Sequence, residues 1–204
     1  MDGVLHPHYD ELIVDNGDFL ELKEDFAPNL IVGFARFDGI PVGVVASNPD
    51  ELSGIMEPDS SDKYDTFMMF LDAFDIPILN MSDTTAYPPG DKWERKGVIR
   101  HGAKIVYAYS EATVPKLCVV TRKAYGGAYI VMSSKYIRTD LVFAWPTAEI
   151  AVMGAQGAAN IIHRKEIKEA ADPAAVRAEL MAEYTAKFSN PYVAASRGLV
   201  DDVI

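Results

Sequence analysis

At 204 residues and 49% hydrophobic content, the chain has room for one packed domain, or one domain and a small appendage. Its net charge of −11 argues against non-specific nucleic-acid binding, which needs clustered Lys and Arg, but leaves room for an anionic ligand held by a local patch. There is no apolar run of about 18 residues to span a membrane. The opening residues Met1 to His6 lack the basic and apolar regions of a signal peptide, and the single cysteine, Cys118, excludes an intrachain disulfide. A cytoplasmic location is the expectation.

Residues 1–29 read as a mixed lead-in segment. Tyr9 to Leu22 alternate acidic and apolar residues and predict a short helix or strand, with an exit at Pro28-Asn29. His6-Pro7-His8 near Asp10 and Glu11 is a possible ligand set, but a solvated terminus is the commoner role of such a stretch. Leu30 to Arg36 and Ile40 to Ser47 are apolar, β-branched runs joined through Asp38-Gly39, a strong hairpin signal. Gly33 and Gly43 thin both strands for close packing.

Asn48 to Asp59 reads as a loop. Ser60 or Ser61 is placed to cap a helix reaching about Phe74, with Tyr64, Phe67, Met68, Leu71 and Phe74 on its covered face. Ile78 to Met81 is a short buried strand, and Ser82 to Gly90 a loop that suits the rim of a site. Lys92 to Ala112 reads as one long helix, amphipathic through Ile99, Ala103 and Val106. Lys116 to Val120 is a buried strand leading into Tyr125-Gly126-Gly127-Ala128. Leu141 to Pro146 is another strand, and Ile150 to Ile162 a helix with the basic His163-Arg164-Lys165 at its end. Asp172-Pro173 starts a helix to about Ser189, and Asn190-Pro191 a last short one ending at Arg197-Gly198. Leu199 to Ile204 is an extended tail. Strand and helix alternation behind an opening hairpin predicts an α/β domain of β-β-α units.

Signatures of side-chain nucleophiles, phosphate loops and metal pairs are missing. His101, beside Arg100 on the long helix, is a possible base, although a helix histidine is more often structural. His163 reads as a helix-end residue, and Asp83 as a turn residue at least as readily as a ligand-orienting one. The Gly126-Gly127-Ala128 turn carries almost no side-chain bulk. If a helix starts there, its first N–H groups point outward with the positive end of the helix dipole, suited to a developing oxyanion. A plain tight turn is the more frequent use of Gly-Gly, so local sequence leaves both roles open.

Four blocks narrow the choice: Gly97-Val98-Ile99-Arg100-His101-Gly102-Ala103-Lys104, Glu111 to Lys116, Thr121 to Tyr129, and Ala144 to Gly154. With Gly33 to Arg36, Pro41 to Gly43, Asn190 to Tyr192 and the Gly198 to Asp202 region, they closely resemble the carboxyltransferase component of biotin-dependent acyl-CoA carboxylases. The nearest type is the propionyl-CoA carboxylase β-chain. The resemblance covers nearly all of 12–204.

It implies a crotonase-like (ClpP/crotonase) fold of β-β-α units in a single domain, residues 30–204. That domain corresponds to the C-terminal one of two such domains in family chains. It further implies a homo-oligomer, with acyl-CoA held mainly by the N-terminal half and biotin by the C-terminal domain of a neighbouring subunit. The implied partners are a biotin carboxyl carrier protein, a biotin carboxylase component and the N-terminal carboxyltransferase half. Neither nucleic acid, a membrane span nor a metal is implied. The implied reaction moves a carboxyl group from carboxybiotin to the α-carbon of a short acyl-CoA, propionyl-CoA or acetyl-CoA. Gly127 and Ala128 would supply the oxyanion hole for the biotin enolate, and Tyr125, Gly126, Tyr129 and Ile130 would shape the surrounding cofactor site. The cofactor would act as the base, which accounts for the lack of a convincing catalytic side chain.

Two departures stand out. Many relatives have Asp where Ile130 stands, which points to a more apolar or differently shaped acyl pocket. Thr84 to Gly90 replaces a Pro-Gly-Phe-containing loop, which bears on the choice of acyl-CoA. Decarboxylases running the transfer in reverse share the domain, and a non-catalytic assembly module is a further alternative. A crotonase-like hydratase is disfavoured because no paired carboxylates flank the turn.

Overall fold

The structure is a computed structural model that describes residues 13–204, so His6-Pro7-His8 lies outside the described residues. The chain builds one sheet in the order β1-β2-β3-β4-β5-β6-β8, with β7 also paired to β5. β2 (Leu30–Phe37) and β3 (Ile40–Ser47) form the predicted antiparallel hairpin, with Asp38 and Gly39 both at positive φ in the turn. Asp15 accepts from the N–H groups of both turn residues. β1 (Leu20–Leu22) lies within the 1–29 segment and adds antiparallel to β2. From β3 onward the pairings to β4 (Ile78–Thr84), β5 (Lys116–Tyr125) and β6 (Leu141–Ala144) are parallel. The crossover helices are α1 (Pro58–Ala73) and α3 (Val98–Glu111). They cover one face of the sheet around Leu30, Val32, Val45, Tyr64, Met68, Leu71, Ile78, Ile105 and Tyr109.

Several local boundaries differ from the sequence expectation, each for a physical reason. The cap of α1 is Glu57 and not a serine. Its carboxylate accepts from the N–H of Asp59 and Ser60, while Ser60, at the third helical position, accepts from the Glu57 N–H. This is a capping box with the usual residues exchanged. Phe74, expected in the covered face, is 65% exposed and stacks on Phe70. The helix expected over Lys92 to Ala112 is two, α2 (Asp91–Arg95) and α3, because Gly97 adopts the left-handed conformation (φ 79°) that ends the first. The face of α3 turned to the core is Val98, Gly102, Ile105, Ala108 and Tyr109, so Ile99 and Val106 point outward instead.

β4 continues through Ser82, Asp83 and Thr84, which were expected to be loop. These polar residues are fully buried, and β5 and a neighbouring turn supply most of their partners: Thr84 Oγ1 donates to the Gly54 carbonyl at 2.7 Å and Thr121 Oγ1 to the Ser82 carbonyl at 3.1 Å, while the Ser82 hydroxyl has no partner among the described residues. β5 likewise runs on to Tyr125. Its lower half pairs with β6, while its upper half, Lys123 to Tyr125, pairs with β7 (Glu149–Ala151). That pairing takes the first residues of the expected Ile150 to Ile162 helix into the sheet. The helix there is α5 (Ala155–Ile162), begun after Gly154.

A separate short helix, α6 (Arg164–Glu169), follows. α7 (Pro173–Phe188) starts as expected with Asp172 as its cap, and α8 (Pro191–Ala195) with Asn190. The tail forms β8 (Asp202–Val203) beside β6.

Candidate active site

At the top of β5 the chain turns through Gly126 into α4 (Gly126–Val131), so a helix does begin at the Gly-Gly turn. Gly126 has φ 57°, and a Cβ there would sit 2.9 Å from the Val152 carbonyl oxygen. Two independent constraints therefore demand glycine at 126: a left-handed backbone and a backbone oxygen where a side chain would go. Gly127 differs. It is exposed, its φ is not positive, and a Cβ there would meet only the Tyr87 ring, 3.9 Å away.

The N–H groups of the first turn of α4 have no acceptor within the helix. Neither Gly127 nor Ala128 donates its N–H to another element among the described residues. Ala128 is fully buried, backbone included, which anchors the turn, while Gly127 just before it is exposed. α4 sits at the seam of the core. Ala128, Val131 and Met132 face the cluster under α1 and α3, whereas Tyr129 faces the cluster of Cys118, Val120, Ala124, Val142 and Ile150.

The residues expected around the turn are brought together. Tyr125 closes β5, and its hydroxyl donates to Glu149 of β7. Burial and the adjacent carboxylate push that phenol well above its ordinary range. The Tyr125 ring edge also lies where a Cβ on Gly154 would be, 3.2 Å away. Tyr129 is buried with its hydroxyl unpartnered among the described residues, and burial raises its pKa as well. Ile130, on the outer side of α4, is 37% exposed beside the turn. From the 82–90 stretch, Tyr87 reaches the site. Its ring covers Gly102 of α3 and approaches Gly127, and burial moves its phenol to about 12. Of this stretch Tyr87 lies beside the turn, whereas Ser82, Asp83 and Thr84 belong to β4.

The other side-chain candidates have structural partners. Asp83 is buried, accepts from Arg122 Nε at 3.0 Å and from the Lys123 N–H at 3.2 Å, and so ties β4 to β5 below the turn. Burial raises its carboxyl pKa, against the pull of the Arg122 charge. His101 has both ring nitrogens engaged, Nδ1 with Asp62 at 2.7 Å and Nε2 with Arg100 at 3.0 Å. Lys104 reaches the same Asp62 oxygen at 2.8 Å. His163 pairs with Glu166 at 2.8 Å on the surface. Among the described residues no group of three or more His, Cys, Asp or Glu is placed to hold a metal ion. No helix is long and apolar enough to cross a membrane, again among those residues. An open cavity of about 680 Å³ lies at the β2–β3 hairpin, lined by Asp15, Phe19, Phe34, Arg36 and Pro41 among others. β4 lies between that hairpin and β5, and none of the cavity's lining residues belongs to the turn, so it is no part of this site.

What the turn offers is two backbone N–H groups without an acceptor among the described residues, at an exposed Gly127 beside the Tyr87 ring. Residues 10–204 match the carboxyl transferase domain family, and the chain belongs to it.

The chain is 56% identical over 192 residues to the methylmalonyl-CoA decarboxylase subunit alpha of Propionigenium modestum. It is 55% identical over 192 residues to the propionyl-CoA carboxylase carboxyltransferase subunit of Haloferax mediterranei. Each alignment covers 94% of this chain and 37% of the relative, and the matched stretch falls in the relatives' C-terminal half. A solved transcarboxylase 12S structure, described as a hexamer with methylmalonyl-coenzyme A and methylmalonic acid bound, superposes with a TM-score of 0.88 at 55% identity. It covers 95% of this chain and 37% of that one. The fold is the crotonase-like α/β fold of these carboxyltransferases.

Proposed function

We propose that this chain is the biotin-facing half of a carboxyltransferase, in which the N–H groups of Gly127 and Ala128 stabilise negative charge on the ureido oxygen during carboxyl transfer to or from a short acyl-CoA. The observation that carries the reading is the pair of N–H groups at the start of α4 that find no acceptor among the described residues, beneath an exposed Gly127 with no side chain. Bound carboxybiotin would supply the transferable carboxyl group and, at its ureido nitrogen, the base. The turn leaves room for such a ring: Gly127 keeps the approach open, and the Tyr87 ring lies beside it. The chain's own contribution is position and polarity. Fixed donors, aimed where charge grows, need no reorganisation during reaction, and each is worth about 10²–10³ in rate. Tyr129 and Ile130 form the inner and outer sides of the same short helix.

The chain spans 37% of the relatives' length, so acyl-CoA binding is assigned to a separate N-terminal half. A carrier protein bearing biotin, a biotin carboxylase component, a homo-oligomeric assembly and a cytoplasmic location complete the reading. The reverse, decarboxylating direction is favoured equally by one observation: identity to the decarboxylase subunit is 56%, against 55% for the carboxylase subunit.

The test is reconstitution. This chain is mixed with the N-terminal half of a relative, a carboxybiotin donor and propionyl-CoA or acetyl-CoA, and the reverse reaction is assayed alongside with methylmalonyl-CoA. Transfer is expected only with both halves present. A Cβ at 127 makes only ordinary contact, so Gly127→Val is expected to fold, which its circular dichroism and melting temperature check, and to lower transfer at least about 100-fold. Full activity of that variant overturns the oxyanion role and favours a non-catalytic assembly module.

A further inference from the structure

α4 is only six residues long, too short to hold its own direction, and it carries the two donors. Its far end is fixed by a set of buried hydroxyls. Ser133 follows the helix in a left-handed conformation, φ 78°, unusual for a residue with a Cβ, and is fully buried. The Ser133 hydroxyl bonds the Tyr109 hydroxyl of α3 and lies 3.1 Å from Thr139 Oγ1. Thr139 Oγ1 lies 2.9 Å from the Ser134 carbonyl oxygen and 3.2 Å from the Tyr109 hydroxyl. A carbonyl can only accept, so Thr139 donates to it. One proton per hydroxyl then allows the order Tyr109 to Ser133 to Thr139 to the Ser134 carbonyl.

Two other carbonyls near the end of α4 are also taken by side chains. Ser134 Oγ donates to Ile130, and the Cys118 thiol to Met132 at 3.6 Å.

Tyr109 is itself clamped. Lys116 Nζ donates to the carbonyls of Tyr109 and Ala112 at 3.1 and 2.8 Å, and lies 5.2 Å from the Tyr109 ring centre. Lys116 opens β5, the strand whose other end becomes α4. A closed path thus runs from the base of β5 through α3 and the hydroxyl chain to the end of α4. α3 also meets the front of α4, since Tyr87 bridges Gly102 and Gly127.

We propose that Tyr109 is a positioning residue: its hydroxyl, through Ser133 and Thr139, sets the direction in which the N–H groups of Gly127 and Ala128 point. This rests on the oxyanion reading of those two residues. Tyr109 touches no reactant; it acts by fixing the helix that does. Rigid support matters here because misplacing a donor by about 1 Å costs on the order of 10²-fold in rate.

The experiment uses Tyr109→Phe, which keeps the ring and its Lys116 contact and removes only the hydroxyl. Ser133→Ala is the second variant, and Tyr107→Phe on the exposed side of α3 the control. In ¹⁵N spectra of the chain, the amide signals of Gly127 and Ala128 are expected to shift in the first two and stay in place in the control. In the reconstituted enzyme, kcat is expected to fall about tenfold while the KM for acyl-CoA stays within about twofold. A merely structural tyrosine would lower the melting temperature and leave the kcat of the folded protein unchanged. Unmoved Gly127 and Ala128 amides, or an unchanged kcat in the folded variants, overturn the proposal. If Tyr109→Phe fails to fold, Ser133→Ala decides by the same readouts. Loss of activity in Gly127→Val with full kcat in Tyr109→Phe sinks only the positioning role. Full activity in Gly127→Val sinks the oxyanion reading beneath it.

Discussion

α3 and α7 are helices of similar length, 14 and 16 residues, held in opposite ways. α3 buries Val98, Gly102, Ile105, Ala108 and Tyr109 and is tied at its end by Lys116. α7 has no buried residue; it packs on α5 and α6 and is kept by its Asp172 cap and a surface pair between Lys187 and Glu183. The donors of the candidate site are therefore mounted on the firmly packed side of the domain. The α5–α7 side leaves Ile161, Ile162 and Phe188 half or more exposed. Stability and site geometry should depend on the first region and be nearly indifferent to the second.

The largest effect is expected on the packed side. Ile105→Ala, at a fully buried position on α3, should cost about 2–5 kcal/mol by chemical denaturation, against less than about 0.5 for Ile161→Ala on α5. Equal losses would erase the distinction. Next, Gly43→Ala places a methyl into the side chain of Leu71 on α1, and overpacking of that kind costs about 1–3 kcal/mol. Part of that loss should return in the Gly43→Ala, Leu71→Ala double variant, measured as a double-mutant cycle.

A smaller change comes from the cap. Asp172→Ala should cost about 1 kcal/mol and speed amide exchange along α7 without touching α3. The smallest lies at the tail. A hydrogen bond from Lys135, 2.6 Å away, holds the Asp201 carboxyl below its ordinary 3.8, with the Val142 N–H adding to it. A lowered folded pKa contributes stability present above 3.8 and lost as pH falls through the folded value. Asp201→Asn should flatten that part of the acid limb in a pH series of melting temperatures. The pair is partly exposed, so the change is modest.

The hairpin, α1, α7 and the Gly-Gly turn were legible because their signals are local: Asp38-Gly39, Tyr64 to Leu71 at helical spacing, and Asp172-Pro173. The misreadings share a cause. α3 has apolar residues on both faces, and periodicity alone took Ile99, Ala103 and Val106 for the inner one. Ser82 to Thr84 looked like loop because their partners, Gly54, Thr121 and Arg122, are distant in sequence. Ile150 joined the sheet because the upper half of β5 offered an open edge, which no local window reveals. The hydroxyl chain was hidden for the same reason: Tyr109, Ser133 and Thr139 come together only once α3 packs beside α4.

The two glycines of the turn carry different mutational histories within them. Every single-base change in a glycine codon that is not silent yields a stop or a residue with a Cβ. At 126 any such residue meets the Val152 carbonyl in a backbone conformation it resists, so that position has no neighbouring allele that folds unstrained. At 127 the same change meets only the edge of the Tyr87 ring, 3.9 Å away, an ordinary contact. In a saturation scan, intolerance at 126 would report folding, whereas intolerance at 127 would report what approaches the turn from outside.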